Sequence, residues 1–203
     1  MGDQTAVAED VIVQEDVLRA QVYDLLALLL RDAPSKQTLA KVAALSGDET
    51  PLGTAFTALS KVAKSTVSEK ASREFHELFV GLGRGELLPY ASYYMTGFLN
   101  EKPLAKLRND MMRLQIERAP SVYEPEDNIG SLCEMMAGLI LGRFGPPADL
   151  QTQKDFFATH LSPWAGHFFS DLEGAEYSLL YAPVGTVGAR FIEIEKEAFR
   201  MTD

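Results

Sequence analysis

The chain of 203 residues contains one cysteine and only three histidines. Cys133 alone cannot form an internal disulfide, so the sequence permits a reducing compartment. No Cys pair and no His-Glu-x-x-His sequence accompanies the histidines. Zinc sites need such spacings, so the sequence argues against a metal site. No serine lies in a glycine elbow and no triad order can be traced, so nothing supports nucleophilic catalysis.

Positive charge is also scarce. The chain has 19 Lys and Arg against 29 Asp and Glu, which gives a formal net charge of −10. This balance argues against nucleic acid as a partner, because proteins neutralise phosphates with Lys and Arg. It is compatible with a basic partner, and equally with a role in solubility alone.

Long apolar runs are missing as well. Leu25–Leu30 is apolar, but Arg31 and Asp32 interrupt it, and it is far too short to cross a bilayer. Residues 1–10 are acidic and lack the basic and apolar regions of a secretory signal. These two features predict a cytoplasmic protein.

Alternation at a period of two, which marks half-buried strands, is not sustained anywhere, whereas apolar residues recur at helical spacing. The sequence therefore predicts an all-α protein: a flexible tail at 1–9, then a single-domain bundle of about ten helices over 10–203. Gly145-Pro146-Pro147 breaks the helical pattern and marks a candidate hinge at 145–148. Near the C-terminus we expect Glu176–Tyr181 to be helical, Pro183–Gly188 to be looser, and Phe191–Phe199 to form the final helix.

Acidic residues crowd the start of the most strongly patterned segment, at 123–144. Pro125 lacks an N–H donor and suits the first position of a helix. Glu126 and Asp127 would then lie in the first turn, where the helix dipole favours negative charge. Apolar residues at helical spacing predict one buried stripe. They are Ile129, Leu132, Cys133, Met136 and Ile140. By itself this pattern is typical of the start of a core helix.

Two further segments carry recognisable patterns. Pro89-Tyr90-Ala91-Ser92-Tyr93-Tyr94 follows a glycine-rich stretch at 81–85 and is predicted to be a loop. Its tyrosines offer apolar area and hydrogen bonds to a peptide, although the same rings could equally pin the loop to the core. The stretch from Phe156 to Trp164 predicts a helix that ends in a kink at Pro163.

These three segments, in this order, resemble the TorD/DmsD/NarJ superfamily, which are cytoplasmic chaperones for molybdenum-containing redox enzymes. The family has a Tyr-x-Ser-x-Tyr-like loop followed by a Glu-Pro-x-Asp-His motif that opens a helix. The matching positions are Tyr90, Ser92 and Tyr94 for the loop and Glu124, Pro125 and Asp127 for the motif. Asn128 stands where the family usually has His, so any pH-sensitive role of that position would be lost.

The resemblance implies a TorD-like helical bundle that binds the twin-arginine signal peptide and the apo catalytic subunit of a molybdenum oxidoreductase. Such a chaperone assists cofactor insertion and delays export. Two adjacent arginines can pair bidentately with carboxylates, which suits an acidic site beside tyrosines. The expected peptide-binding residues are Tyr90, Ser92, Tyr94, Glu124, Asp127, Asn128, His160 and Trp164.

The resemblance implies no cofactor of the chain's own and no catalytic residue. The twin-arginine translocation machinery is a further candidate partner, and the assembly can be a monomer or a domain-swapped dimer. Two other functions remain open from the residues alone. One is a helical adaptor unrelated to export. The other is an all-α enzyme that uses the Glu124/Asp127 acidic cluster with His160.

Overall fold

The computed structural model describes residues 12–120 and 122–201. Within these ranges the chain forms ten α-helices, one π-helical turn and no strand, so the all-α prediction is confirmed. The helices are α1 Gln14–Arg31, α2 Lys36–Ala43, α3 Pro51–Ser65, α4 Ser68–Phe75, α5 Ala91–Thr96, α6 Lys102–Arg113, α7 Ile129–Leu141, α8 Leu150–His160, α9 Ala165–Gly174 and α10 Tyr181–Arg200. The π-helical turn, His76–Val80, continues α4. The tail predicted at 1–9 lies outside the described residues, and the hinge at 145–148 stays a prediction.

A hydrophobic core draws buried side chains from all ten helices. Helix α7 packs against α1 and α8, while α10 packs against α9, α3 and α1. The five apolar residues of the predicted stripe in α7 are all buried, but so are most of the residues between them. A helix that is buried on most of its surface belongs inside a protein, so α7, with Glu134 as its one exposed residue, is a central helix.

A buried ionic cluster joins α1 to α10. Glu195 is only 1% exposed, and its carboxylate accepts two hydrogen bonds from the Arg19 guanidinium, at 2.8 and 2.9 Å. The Tyr23 hydroxyl donates a third, also at 2.9 Å. A buried carboxylate is tolerated only when it is paired and hydrogen-bonded in this way.

Local capping sets the ends of several helices as the sequence predicts. Thr50 accepts a hydrogen bond from the Gly53 N–H at 3.0 Å at the start of α3, and Asp149 accepts one from Thr152 at 2.8 Å at the start of α8. Helix α7 ends earlier than predicted, at Leu141 rather than near residue 145. Gly142 adopts a left-handed conformation with φ of 69°, which terminates the helix.

The prediction for residues 176–188 was wrong. Residues 175–180 are not helical, and α10 begins at Tyr181 and runs without a break through the segment predicted to be loose. Pro183 lies in the first helical turn, where its missing N–H would have no intrahelical partner. Gly188 allows close contact with α9, since a Cβ there would lie 2.2 Å from the Phe169 ring.

Candidate functional site

The tyrosine-rich segment and the acidic segment are joined by backbone hydrogen bonds. The Ala91 N–H donates to the Asp127 carbonyl at 3.0 Å, and the Ile129 N–H donates to the Pro89 carbonyl at 2.8 Å. Tyr90 and Asn128 lie opposite each other in an antiparallel bridge. Two of the three segments predicted to carry function therefore meet, and we call this contact the 90/128 junction.

Asp127 acts within the junction rather than at the surface. Its side chain is 1% exposed, and Oδ2 accepts a hydrogen bond from the Ser92 N–H at 2.7 Å. Ser92 is the second residue of α5, so this carboxylate caps α5 from a position 35 residues away. The Ser92 hydroxyl is itself fully buried. Among the described residues, neither Ser92 Oγ nor Asp127 Oδ1 has a hydrogen-bond partner.

The predicted start of α7 was wrong by four residues. Asn128 is the N-cap, and its Oδ1 accepts a hydrogen bond from the Gly130 N–H at 2.9 Å. Pro125 is therefore not the first helical residue, and Glu126 and Asp127 precede the helix. The physical reason is the 90/128 junction, because residues 127–129 bond to the tyrosine segment before the helix begins.

Glu124 is the exposed acid of the motif, and a tyrosine orients it. The Tyr90 hydroxyl donates to Glu124 Oε2, and the Asn128 side chain lies beside it on the same pocket. Burial, followed by the bond to Glu124, raises the pKa of Tyr90 well above its usual value.

Glu126 has a different role, because arginines neutralise it. Its Oε2 accepts hydrogen bonds from Arg108 Nε at 3.0 Å and Nη2 at 2.9 Å, and Arg118 lies 3.6 Å from Oε1. Burial alone would raise the pKa of Glu126, but the hydrogen bonds from Arg108 and the two positive charges outweigh it and lower the pKa. This acid holds the segment before α7 against α6.

An open pocket of about 460 Å³ lies beside Glu124, and we call it the Glu124 pocket. Tyr90 and Asn128 form one side of it together with Glu124. The C-terminal end of α1, and the end of α4 with the π-helical turn that continues it, form the other sides. Its full lining is Leu30, Arg31, Asp32, Phe75, Phe79, Val80, Pro89, Tyr90, Val122, Tyr123, Glu124, Asn128 and Ser131. The pocket thus combines an aromatic wall with two carboxylates, and Tyr123 is 88% exposed at its rim.

A second depression lies on the other side of the segment 122–124. It shares Arg31, Val122, Glu124 and Ser131 with the Glu124 pocket. Its lining combines the apolar side chains of Met111, Ile116, Met135 and Phe144 with charged ones, including Arg118, Glu126, Glu134 and Arg143. Glu124 therefore has both apolar and charged side chains on each side of it.

The remaining three predicted residues form a separate aromatic cluster. The Tyr94 hydroxyl donates to Asp171 at 2.9 Å, and the Tyr94 ring lies 5.3 Å from that of Trp164. Trp164 is 1% exposed, and its Nε1 donates to the His160 carbonyl at 2.7 Å. Tyr94, His160 and Trp164 line neither of the two depressions beside Glu124.

His160 is held in this cluster by a hydrogen bond to a carboxylate on α6. Its Nε2 lies 2.8 Å from Asp110 Oδ2 on α6, and its side chain is 5% exposed. Burial lowers the pKa of His160 below its usual value, although the hydrogen bond to Asp110 acts in the opposite direction. His160 therefore ties α8 to α6.

Of the eight residues predicted to bind a peptide, the structure brings Tyr90, Glu124 and Asn128 to the pocket. Sequence reasoning missed Asp32 and the aromatic wall of Phe75 and Phe79. The helical spacing of those two phenylalanines indicated only that they face the core. No local signal could have linked these positions to Glu124, because they lie on distant parts of the chain.

Among the described residues, no three His, Cys, Asp or Glu side chains gather as a metal site would require. No described helix is long and apolar enough to cross a bilayer. The fold and the pocket define the class as an all-α bundle with an open, partly aromatic pocket edged by carboxylates.

Comparisons with known proteins assign this bundle to a family. The family described as nitrate reductase delta subunit matches residues 46–170. Chaperone protein TorD of Vibrio cholerae serotype O1 is 28% identical over 130 residues, which are 61% of this chain and 59% of that protein. TorD of Aliivibrio salmonicida is 26% identical over 132 residues, 61% of each protein. These matches span about three fifths of the relatives' own length.

A solved structure shares the fold. The crystal structure of a protein assigned to redox enzyme maturation in Archaeoglobus fulgidus aligns with a TM-score of 0.58 at 21% identity. The alignment covers 87% of this chain and 94% of that one. The chain belongs to the nitrate reductase delta subunit family, within the TorD/NarJ group, and the resemblance expected from the sequence is confirmed.

Proposed function

We propose that this protein is a cytoplasmic chaperone that binds the twin-arginine signal peptide and the apo catalytic subunit of a molybdenum-dependent redox enzyme. It holds the precursor while the cofactor is inserted, and so delays export. It acts by binding rather than by catalysing a reaction. The related TorD proteins are named chaperones, and that name supports the proposal.

The observation that carries the proposal is the position of Glu124. This carboxylate is exposed at a pocket, and its Oε2 accepts a hydrogen bond from the neutral Tyr90 hydroxyl. In the described part of the chain no Lys or Arg is paired with it, whereas Glu126, Glu134 and Glu195 each have an arginine partner. A carboxylate held in place without a cation is suited to accept an incoming guanidinium.

The walls of the pocket suit the rest of such a peptide. A twin-arginine signal peptide carries an apolar region after its arginines, and Phe75, Phe79 and Val80 offer apolar surface within the same pocket. Tyr123 at the rim offers a ring face on which a guanidinium can stack. The net charge of −10 adds a general attraction for a basic segment.

A titration with synthetic peptides tests this proposal. The probe is a fluorescent peptide with two consecutive arginines followed by an apolar run, and the matched peptide has two lysines instead. We expect the arginine peptide to bind more tightly to the native protein. Glu124→Gln should weaken its binding about tenfold, because about 1.4 kcal/mol of charge-assisted bonding is lost.

Glu193→Gln is the matched control, since it removes the same charge from an exposed position on α10. We expect its affinity to equal that of the native protein. Equal affinity for the arginine and lysine peptides would overturn the proposal and favour an adaptor unrelated to export.

A further inference from the structure

The Glu124 pocket contains a second carboxylate in an unfavourable position. Asp32 follows the last residue of α1, where the helix dipole places partial negative charge. The carbonyl groups of the last turn have no intrahelical N–H partners, and among the described residues only the Leu29 carbonyl accepts a bond from elsewhere, from the Tyr181 hydroxyl at 2.8 Å. The last turn contains one cation, Arg31, but its guanidinium is bonded to Glu134 of α7, so the aspartate that follows it is not offset there.

Asp32 has no ion-pair partner in the part of the chain that the structure describes. Its neighbour Arg31, which also faces the pocket, is bonded to Glu134 of α7. At this corner of the pocket the Arg31 guanidinium is therefore bonded to Glu134, while the Asp32 carboxylate is left without a paired cation among the described residues.

Close packing of α1 against α7 brings the end of α1 to the pocket. Gly130 lies against the end of α1, and a Cβ there would lie 2.7 Å from Arg31 Cγ and 3.1 Å from the Arg31 backbone nitrogen. Helix α7 begins just after Asn128, so this contact sets Asp32 and Glu124 on the lining of one pocket. The two carboxylates come from different elements, with Arg31 and the aromatic wall also facing the space.

We propose that Asp32 and the C-terminal end of α1 form the receptor for one guanidinium of a twin-arginine peptide, while Glu124 receives the other. This inference rests on the proposed function and assigns its two positive charges to two separate places. A guanidinium has five N–H donors, so at the α1 end it can bond both the carboxylate and free carbonyl oxygens. A lysine ammonium cannot span two such acceptor groups in one plane.

The test is a set of double-mutant cycles between protein and peptide. The proteins are native, Asp32→Asn, Glu124→Gln and Asp155→Asn. The peptides carry Arg-Arg, Gln-Arg or Arg-Gln before the same apolar run. Asp155 is exposed on α8 and does not line the pocket, so its substitution is the control for a change of one charge.

We expect Asp32→Asn to weaken binding of the Arg-Arg peptide about tenfold, as for an interfacial charge pair. With one of the two Gln-containing peptides, Asp32→Asn should cause no further loss of affinity, because that peptide lacks the arginine that pairs with Asp32. Glu124→Gln should cause no further loss with the other Gln-containing peptide. The melting temperature of Asp32→Asn should not fall, because the substitution removes a negative charge from a helix C-terminus.

Two results would overturn this assignment while leaving the proposed function intact. One is that Asp32→Asn binds the Arg-Arg peptide as tightly as Asp155→Asn does. The other is that Asp32→Asn weakens the binding of all three peptides equally, which would indicate a long-range electrostatic effect and not a direct contact. If the native protein does not prefer Arg-Arg to the other peptides, the proposed function itself fails. Should Asp32→Asn lower the melting temperature, Asp32→Ser supplies the same comparison with a smaller uncharged side chain.

Discussion

The Glu124 pocket and the aromatic cluster of Tyr94, His160 and Trp164 differ in what their polar groups bond. In the cluster, the Tyr94 hydroxyl on α5 bonds Asp171 on α9, and the His160 ring on α8 bonds Asp110 on α6. In the pocket, the Glu124 carboxylate accepts a hydrogen bond from a neutral hydroxyl and faces solvent. The first arrangement joins helices to each other, whereas the second leaves a carboxylate exposed with no cation paired to it among the described residues.

The same contrast occurs within each short motif. Tyr90 faces the pocket while Ser92, two residues later, is fully buried. Glu124 is exposed while Asp127, three residues later, caps α5 from the interior. Residues of one sequence motif therefore divide between the accessible surface and the interior, so each predicted site residue needs a test that separates affinity from stability.

The largest expected effect is on stability, at Asp127. Asp127→Ala removes the buried acceptor of the Ser92 N–H and should lower the free energy of unfolding by about 2–3 kcal/mol. Urea denaturation followed by circular dichroism measures this loss. Glu124→Ala is the matched control, and as a surface substitution it should stay within about 0.5 kcal/mol of the native protein. Equal losses at both positions would contradict the division of the motif.

The next largest expected effect is a pH dependence of stability that arises from His160. The folded pKa lies below the unfolded value because of burial, so the unfolded chain binds the proton more readily. The contribution of neutral His160 to the free energy of unfolding is complete above the unfolded pKa of about 6.5. It is lost as the pH falls through the folded pKa. His160→Gln cannot titrate, so the native protein should lose more stability than this variant between pH 7.5 and 5. Parallel denaturation midpoints for the two proteins would exclude this role.

A smaller effect compares the two tyrosines through affinity. Tyr90→Phe removes the hydroxyl that orients Glu124, and we expect about threefold weaker binding of the twin-arginine peptide, as for one neutral hydrogen bond. Tyr94→Phe removes a hydroxyl bonded to Asp171 and should leave peptide affinity unchanged. Anisotropy titrations with both variants measure the difference. A loss of affinity in Tyr94→Phe alone would place the binding surface at the aromatic cluster.

The smallest effect is a gain in stability at Asp32. Asp32→Asn removes an unfavourable charge at the end of α1, and the free energy of unfolding should rise by about 0.3 kcal/mol or slightly more. Denaturation at low salt, where such effects are least screened, is the measurement. A loss of stability instead would mean that Asp32 supports the fold, like the residues of the aromatic cluster.

Much of the helical framework was predictable because its signals are local. Thr50 with Pro51 and Asp149 cap their own helices within three residues, and the apolar residues of α7 repeat at helical spacing. Failures occur where the capping group comes from far along the chain. Glu74 accepts hydrogen bonds from the N–H groups of Leu179 and Tyr181, at 2.7 and 2.8 Å, at the start of α10. Asp127 does the same for α5.

The sequence by itself determined the all-α class, most helix boundaries and the acidic character, because spacing, capping and composition are properties of neighbouring residues. Tertiary structure alone decided which of the motif residues are accessible. It also decided that Asp32 and the Phe75/Phe79 wall share a pocket with Glu124. The physical reason is that burial and charge pairing depend on contacts between elements, such as the approach of α1 to Gly130, and no local pattern encodes them.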